Sequence, residues 1–134
     1  QQKSEAASDQ PLAGLVLLVE DDEGIRQLNM IRLQRLGFDV VEAENGAVAL
    51  ELLRAGLRPN VIFSDVVMPG GVSGQALCEQ ARALDPSIRV LLTSGYSEEM
   101  VNAGAPDASH KLLRKPYKIS ELADALHEVL ILNN

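Results

Sequence analysis

The chain has 134 residues, enough for one domain with a single sizeable core and too few for two. Its formal net charge of −7 disfavours DNA and anionic membranes as partners, since both select basic surfaces. A hydrophobic fraction of 46% with two Phe, two Tyr and no Trp calls for an aliphatic core, and a single cysteine excludes an intramolecular disulfide.

Residues 1–11 mix Gln, Ser, Ala and charge without a period and read as a disordered linker or expression remnant, with the ordered domain expected over residues 12–132. This segment is too polar for a signal peptide, and no apolar run approaches the roughly 18 residues that a membrane span needs. A cytoplasmic protein without direct membrane contact is therefore expected.

From Leu15 the chain alternates between two patterns. Leu15-Val16-Leu17-Leu18-Val19 is a continuous aliphatic run, as a strand buried on both faces requires. Glu23 to Leu36 is helical in composition and stops at Gly37. Phe38 to Ala43 reads as a second strand. Asn45 can cap a helix that runs to Ala55. Val61-Ile62-Phe63 forms a third strand that delivers Asp65 at its C-terminal end. After a Pro/Gly loop, a helix is expected from Gly74 to Leu84, with Cys78 in its core face. Ile88 to Leu92 gives a fourth strand. Ser97 to Ala108 carries only a weak helical signal, broken by Gly104 and Pro106. Lys111-Leu112-Leu113 is a short fifth strand, and Ile119, Leu122, Leu126, Val129 and Leu130 fall on one face of a last helix. Five strands alternating with helices imply an α/β fold, with a doubly wound parallel sheet covered on both faces.

In such a sheet, ligands bind beyond the carboxyl ends of the strands. Strand one ends in Glu20-Asp21-Asp22, strand three in Asp65, strand four in Thr93-Ser94-Gly95 and strand five in Arg114-Lys115-Pro116. Carboxylates without a His or Cys partner suit a hard cation such as Mg²⁺. An Asp carboxylate can attack phosphorus, a Lys ammonium and a metal can hold the phosphoryl oxygens, and a Thr hydroxyl can donate to one of them. Pro116 biases the backbone of Lys115 away from the helical region. Taken singly, each has a structural reading: the acidic trio as helix N-terminal charge, Asp65 as a turn residue, Thr93 as a strand-end hydroxyl and Lys115 as a surface lysine. Their convergence on one rim favours phosphoryl chemistry. His110 and His127 are isolated and receive no role. Val66-Val67 after Asp65 lacks the second Asp of aspartate-nucleophile phosphatases, which argues against a general acid there.

Val19-Glu20-Asp21-Asp22-Glu23, Asp65-Val66-Val67-Met68-Pro69, Leu91-Leu92-Thr93-Ser94-Gly95-Tyr96 and Arg114-Lys115-Pro116-Tyr117 together resemble the receiver domains of two-component signalling, over most of the chain. The resemblance implies a flavodoxin-like sheet in the order 2-1-3-4-5. It also implies a phosphorylation switch rather than a turnover enzyme, one that catalyses its own phosphorylation and dephosphorylates itself slowly. Asp65 would take a phosphoryl group from the phosphohistidine of a histidine kinase or histidine phosphotransfer domain. Thr93 would be the switch hydroxyl and Lys115 the partnering lysine. Mg²⁺ would be held by Glu20, Asp21, Asp65 and the main-chain carbonyl of Val67. A monomer with no nucleic-acid partner is expected, either as part of a hybrid sensor kinase or as a stand-alone regulator; a phosphate-independent interaction module is the alternative. Three features depart from the usual pattern. The loop from Met68 to Gly74 is one residue longer than the usual pattern, a Gly-Gly form similar to receivers of hybrid kinases. Leu112 occupies the place of an aromatic switch residue. The fourth helix is poorly specified.

Overall fold

The computed structural model describes residues 13–67, 72–94 and 110–132. Its strands are β1 (Gly14–Val19), β2 (Phe38–Ala43), β3 (Val61–Asp65), β4 (Arg89–Ser94) and β5 (His110–Arg114). Its helices are α1 (Glu23–Arg35), α2 (Gly46–Arg54), α3 (Gly74–Leu84) and α4 (Ile119–His127), the last extended by a π-helical turn over Glu128–Leu132. The strands form one parallel sheet in the order β2-β1-β3-β4-β5. The weak helical signal from Ser97 to Ala108 lies outside the described residues, as do residues 1–12.

Alternation along each strand sends consecutive aliphatic side chains to opposite faces, so an uninterrupted run is what a doubly covered sheet needs. Leu17, Val19, Ile62, Val90 and Leu92 pack with Ala49, Leu50 and Leu53 of α2 and with Leu77, Cys78 and Ala81 of α3. Val16, Leu18, Val61, Phe63 and Leu91 pack on the other face with Leu33 of α1 and with Leu122, Ala125 and Leu126 of α4. Cys78 is buried in this core. The two phenylalanines are both buried within the second, otherwise mostly aliphatic cluster.

Helix starts follow from side-chain caps. Asp22, Asn45 and Ser73 accept hydrogen bonds from the amides of Ile25, Val48 and Ala76. Gly37 takes a φ of 109° just past Leu36, the C-cap of α1, where a side chain would be strained. Ile119 differs from expectation: it opens α4 and is exposed, while Leu122, Leu126 and Val129 are buried. As the first helical residue it lies at the edge of the layer, beyond reach of the sheet.

The β3–α3 connection returns tightly to the sheet. The Gly74 amide donates to the Val66 carbonyl at 2.7 Å, and a Cβ on Gly74 would stand 2.2 Å from the Asp65 carbonyl oxygen. That oxygen is backbone and cannot rotate away. Gly74→Ala should therefore destabilise the protein by about 1–3 kcal/mol, the usual range for overpacking. Urea unfolding checks this, and a stability equal to wild type would show that the loop has room to move.

Candidate functional site

The site is assembled by strand register. Val19 pairs with Ser64 across β1 and β3, so the next residue of each strand, Glu20 and Asp65, emerge side by side. Asp65 pairs in turn with Thr93 on β4, and Thr93 with Leu113 on β5, two residues before Lys115. The Lys115 amide extends this ladder by donating to the Ser94 carbonyl at 2.9 Å. The Lys115–Pro116 peptide is cis. β1 and β3 are also the strands between which the winding direction reverses, the place where an open α/β sheet leaves a crevice.

Four of the five expected side chains meet directly around Asp65. Carboxylate oxygens of Glu20, Asp21 and Asp65 lie within 4.8 Å of one another. Lys115 Nζ stands 2.9 Å from Asp65 Oδ1, and the Thr93 hydroxyl donates to the same oxygen. Val67, expected to act through its carbonyl, lies two residues beyond Asp65 and is 51% exposed. The acidic trio of β1 divides its work: Asp22 caps α1, while Glu20 and Asp21 face Asp65. Gly95 and Tyr96, of the fourth-strand motif, lie outside the described residues.

Glu20 is the buried member of the cluster. Burial chiefly pushes its pKa up to about 7, and the negative charge of Asp65 and the neighbouring Asp21 carboxyl add to the rise. The Asp22 amide, which donates to Glu20 Oε2 at 3.1 Å, and the ammonium of Lys115 oppose it. The donor set is oxygen only, it carries up to three negative charges, and its most buried acid resists ionisation without a counter-charge. Those residues fit a hard divalent cation such as Mg²⁺.

A cleft of about 300 Å³ leads from these groups, between α1 and the segment from Lys115 to Tyr117. Its lining adds Ile25, Leu28, Asn29, Arg32, Phe63 and Tyr117 to Glu20, Asp65, Thr93 and Lys115. Asn29 and Arg32 were not singled out from sequence. The available signal was a polar residue four positions before Leu33, on the inward face of α1. Asn29 is 5% exposed.

The family model of the response regulator receiver domain matches residues 16–127. The sensor kinase CckA of Brucella abortus is 36% identical over 97% of this chain, which spans only 14% of that kinase. The response regulator receiver protein CpdR of the same organism is 30% identical over 87% of this chain and 96% of its own length. The crystal structure of a response regulator receiver protein from Sinorhizobium medicae superposes with a TM-score of 0.82 over 91% of this chain and 98% of that one, at 24% identity.

The raised pKa of Glu20 has a calculable sign. A carboxyl whose folded pKa lies above its ordinary 4.5 contributes stability that is complete below pH 4.5 and is lost as pH rises through about 7. Melting in a chelator should therefore fall over that window, and Glu20→Gln should flatten the fall. Mg²⁺ should raise the melting temperature, more at higher pH because it no longer competes with a proton, and Asp21→Asn should remove that response. An unchanged Mg²⁺ response in Asp21→Asn would place the ion elsewhere.

Proposed function

The chain belongs to the response regulator receiver domain family, and we propose that Asp65 accepts a phosphoryl group from a phosphohistidine, within a receiver unit spanning residues 12–132. The observation that carries this reading is the double contact on Asp65 Oδ1, from the Lys115 ammonium and the Thr93 hydroxyl, beside two further carboxylates. In the transfer, the bond from phosphorus to the imidazole nitrogen breaks as a bond from phosphorus to an Asp65 carboxylate oxygen forms, and the freed imidazole takes up a proton. Glu20, Asp21, Asp65 and the Val67 carbonyl would hold Mg²⁺, which when bound would supply positive charge against the phosphoryl oxygens. Lys115 and Thr93 are placed to move from the carboxylate to the incoming phosphoryl oxygens, which makes Thr93 the point where phosphorylation changes the fold. Leu112 is exposed on β5 and has no ring to swing inward, so the signal passes through Thr93 and the segment after it.

The donor meets the domain at α1. Ile25, Leu28 and Ile31 recur at intervals of three along this helix and are 45%, 47% and 50% exposed, and the first two also line the cleft. An aliphatic stripe at the mouth of the acceptor site suits a histidine kinase or histidine phosphotransfer domain. The higher identity to the sensor kinase than to the single-domain receiver supports a receiver attached to a hybrid kinase.

Incubation with acetyl phosphate and Mg²⁺, followed by intact mass, tests the reading. Wild type should gain one phosphoryl group, Asp65→Asn should gain none, and Lys115→Ala should label at least about tenfold more slowly, the cost of losing one stabilising charge. No adduct on wild type would favour a phosphate-independent interaction module, and continuous turnover a phosphohydrolase. The adduct should be long-lived, because the Val67 side chain cannot orient a water for attack; Val67→Asn should shorten its half-life, measured with Mg²⁺ fixed and no kinase present. Equal half-lives would count against water positioning as the cause.

A further inference from the structure

The turn that carries Glu20, Asp21 and Asp22 is held from three sides. The Glu20 amide donates to the Ala43 carbonyl at 3.1 Å, continuing the ladder between β1 and β2. Asp22 accepts from the Ile25 amide at 2.9 Å, and its own amide donates to Glu20 Oε2 at 3.1 Å. The third hold is a side chain. Arg26, one turn into α1, donates from Nη1 to the Glu20 carbonyl at 2.8 Å and from Nε to Glu42 Oε1 at 2.9 Å. The Arg26 side chain is 16% exposed, so most of it is shielded from water. Glu42 precedes Ala43 on β2, so one guanidinium joins the ends of β1 and β2 to α1.

The Glu20 carbonyl lies in the same rigid peptide plane as the Asp21 amide. A hydrogen bond on that oxygen therefore fixes the plane and, with it, the direction in which Asp21 leaves the strand end. Asp21 is the member of the acid cluster that most needs this, since it is exposed while Glu20 is buried and Asp65 half-buried. We propose that Arg26 is a positioning residue for Asp21: through the Glu20 carbonyl it sets where the Asp21 carboxylate stands, and Glu42 anchors the guanidinium. The proposal rests on the reading of Glu20, Asp21 and Asp65 as a cation site. Arginine suits the task, because its planar fork presents several donors in fixed directions from one group. A partner outside the ligand set that orients a ligand commonly changes metal affinity by about 10–100-fold. The sign of the effect separates orientation from charge. Arg26 is a cation hydrogen-bonded to a member of the acid cluster, so by Coulomb repulsion its removal alone would strengthen the hold on Mg²⁺. Positioning demands the opposite.

The test is calorimetric titration of Mg²⁺ into the full chain at fixed pH and ionic strength. Arg26→Gln should raise the dissociation constant about tenfold. Arg26→Lys, which keeps the charge and loses the fork, should recover only part of that loss. A dissociation constant in Arg26→Gln equal to or below that of wild type would overturn the proposal, as would full recovery in Arg26→Lys. Amide hydrogen exchange in a chelator gives a second readout that needs no metal. Arg26→Gln and Glu42→Ala, the latter at a side chain 45% exposed, should each speed exchange at the Glu20 amide by local fraying, with the Leu17 amide in the middle of β1 unchanged. Glu20 exchange as slow as in wild type, or an equal rise at Leu17, which marks a general loss of stability, would also overturn the proposal. Absence of Mg²⁺ binding to wild type, with the Glu20 amide still released in both variants, would refute the cation site and leave the hold of Arg26 on the acidic turn standing.

Discussion

Three carboxylates held within 4.8 Å of one another are the constraint on which the rest of the structure depends. Left to themselves, Glu20, Asp21 and Asp65 would separate or take up protons. The fold prevents separation because two of them are consecutive residues on one strand end and the third leaves the adjacent strand at the same level. A register slip would send every side chain of the strand into the opposite, differently packed layer, so the packing of the two core layers is what holds the acids together at the rim. The partial neutralisation of Glu20 and the contacts of Lys115 and Thr93 with Asp65 are the local responses.

α1 joins this rim to the surface. Its first turn is tied to the acids: Asp22 caps it, and Arg26 spans from the Glu20 carbonyl at 2.8 Å to the Glu42 carboxylate at 2.9 Å. Its middle places Asn29 and Arg32 in the cleft, and its outer side carries Ile25, Leu28 and Ile31. An ordinary surface helix keeps apolar residues inward and polar ones outward. α1 reverses this at both Asn29 and the aliphatic stripe, so one element lines a polar cleft and also leaves an apolar stripe open to solvent.

Much of this was legible in the sequence. β1 and β3 are short aliphatic runs with an acid at the end, and periodicity placed both to within two residues. The cap at Asn45 and the stop at Gly37 are local chemistry, readable from neighbours alone. Strand order was another matter: alternation implies parallel pairing, but the order 2-1-3-4-5 came from resemblance, because periodicity says which faces are buried and not which strands adjoin. Ile119 was placed on the buried face because it keeps the period of Leu122 and Leu126; the period does not reveal where the sheet ends beneath the helix. Within Glu20-Asp21-Asp22, only the resemblance singles out the first two, since all three have the same chemistry; that Asp22 instead caps α1 shows only in the structure.

The meeting of Asn29 and Tyr117 in the lining of one cleft marks the limit of such reading most clearly. A buried asparagine within a helix is a local anomaly, and a tyrosine after Lys115-Pro116 belongs to the recognised motif, yet nothing in sequence joins them. What joins them is the order of the sheet. β1 and β3 are neighbours, so α1 lies across the face that carries Phe63, and β5 ends on the same rim, so the residues after Lys115 fall against α1. Burying a carboxamide there is costly unless its hydrogen bonds are met, and Arg32 of the same helix donates to its oxygen at 3.5 Å. The contact of Lys115 with Asp65 depends on assembly of the sheet through β5, in contrast to the acid cluster, two of whose three members are sequence neighbours. A site divided in this way gathers its negative charge locally and positions its balancing lysine only when the whole domain has closed.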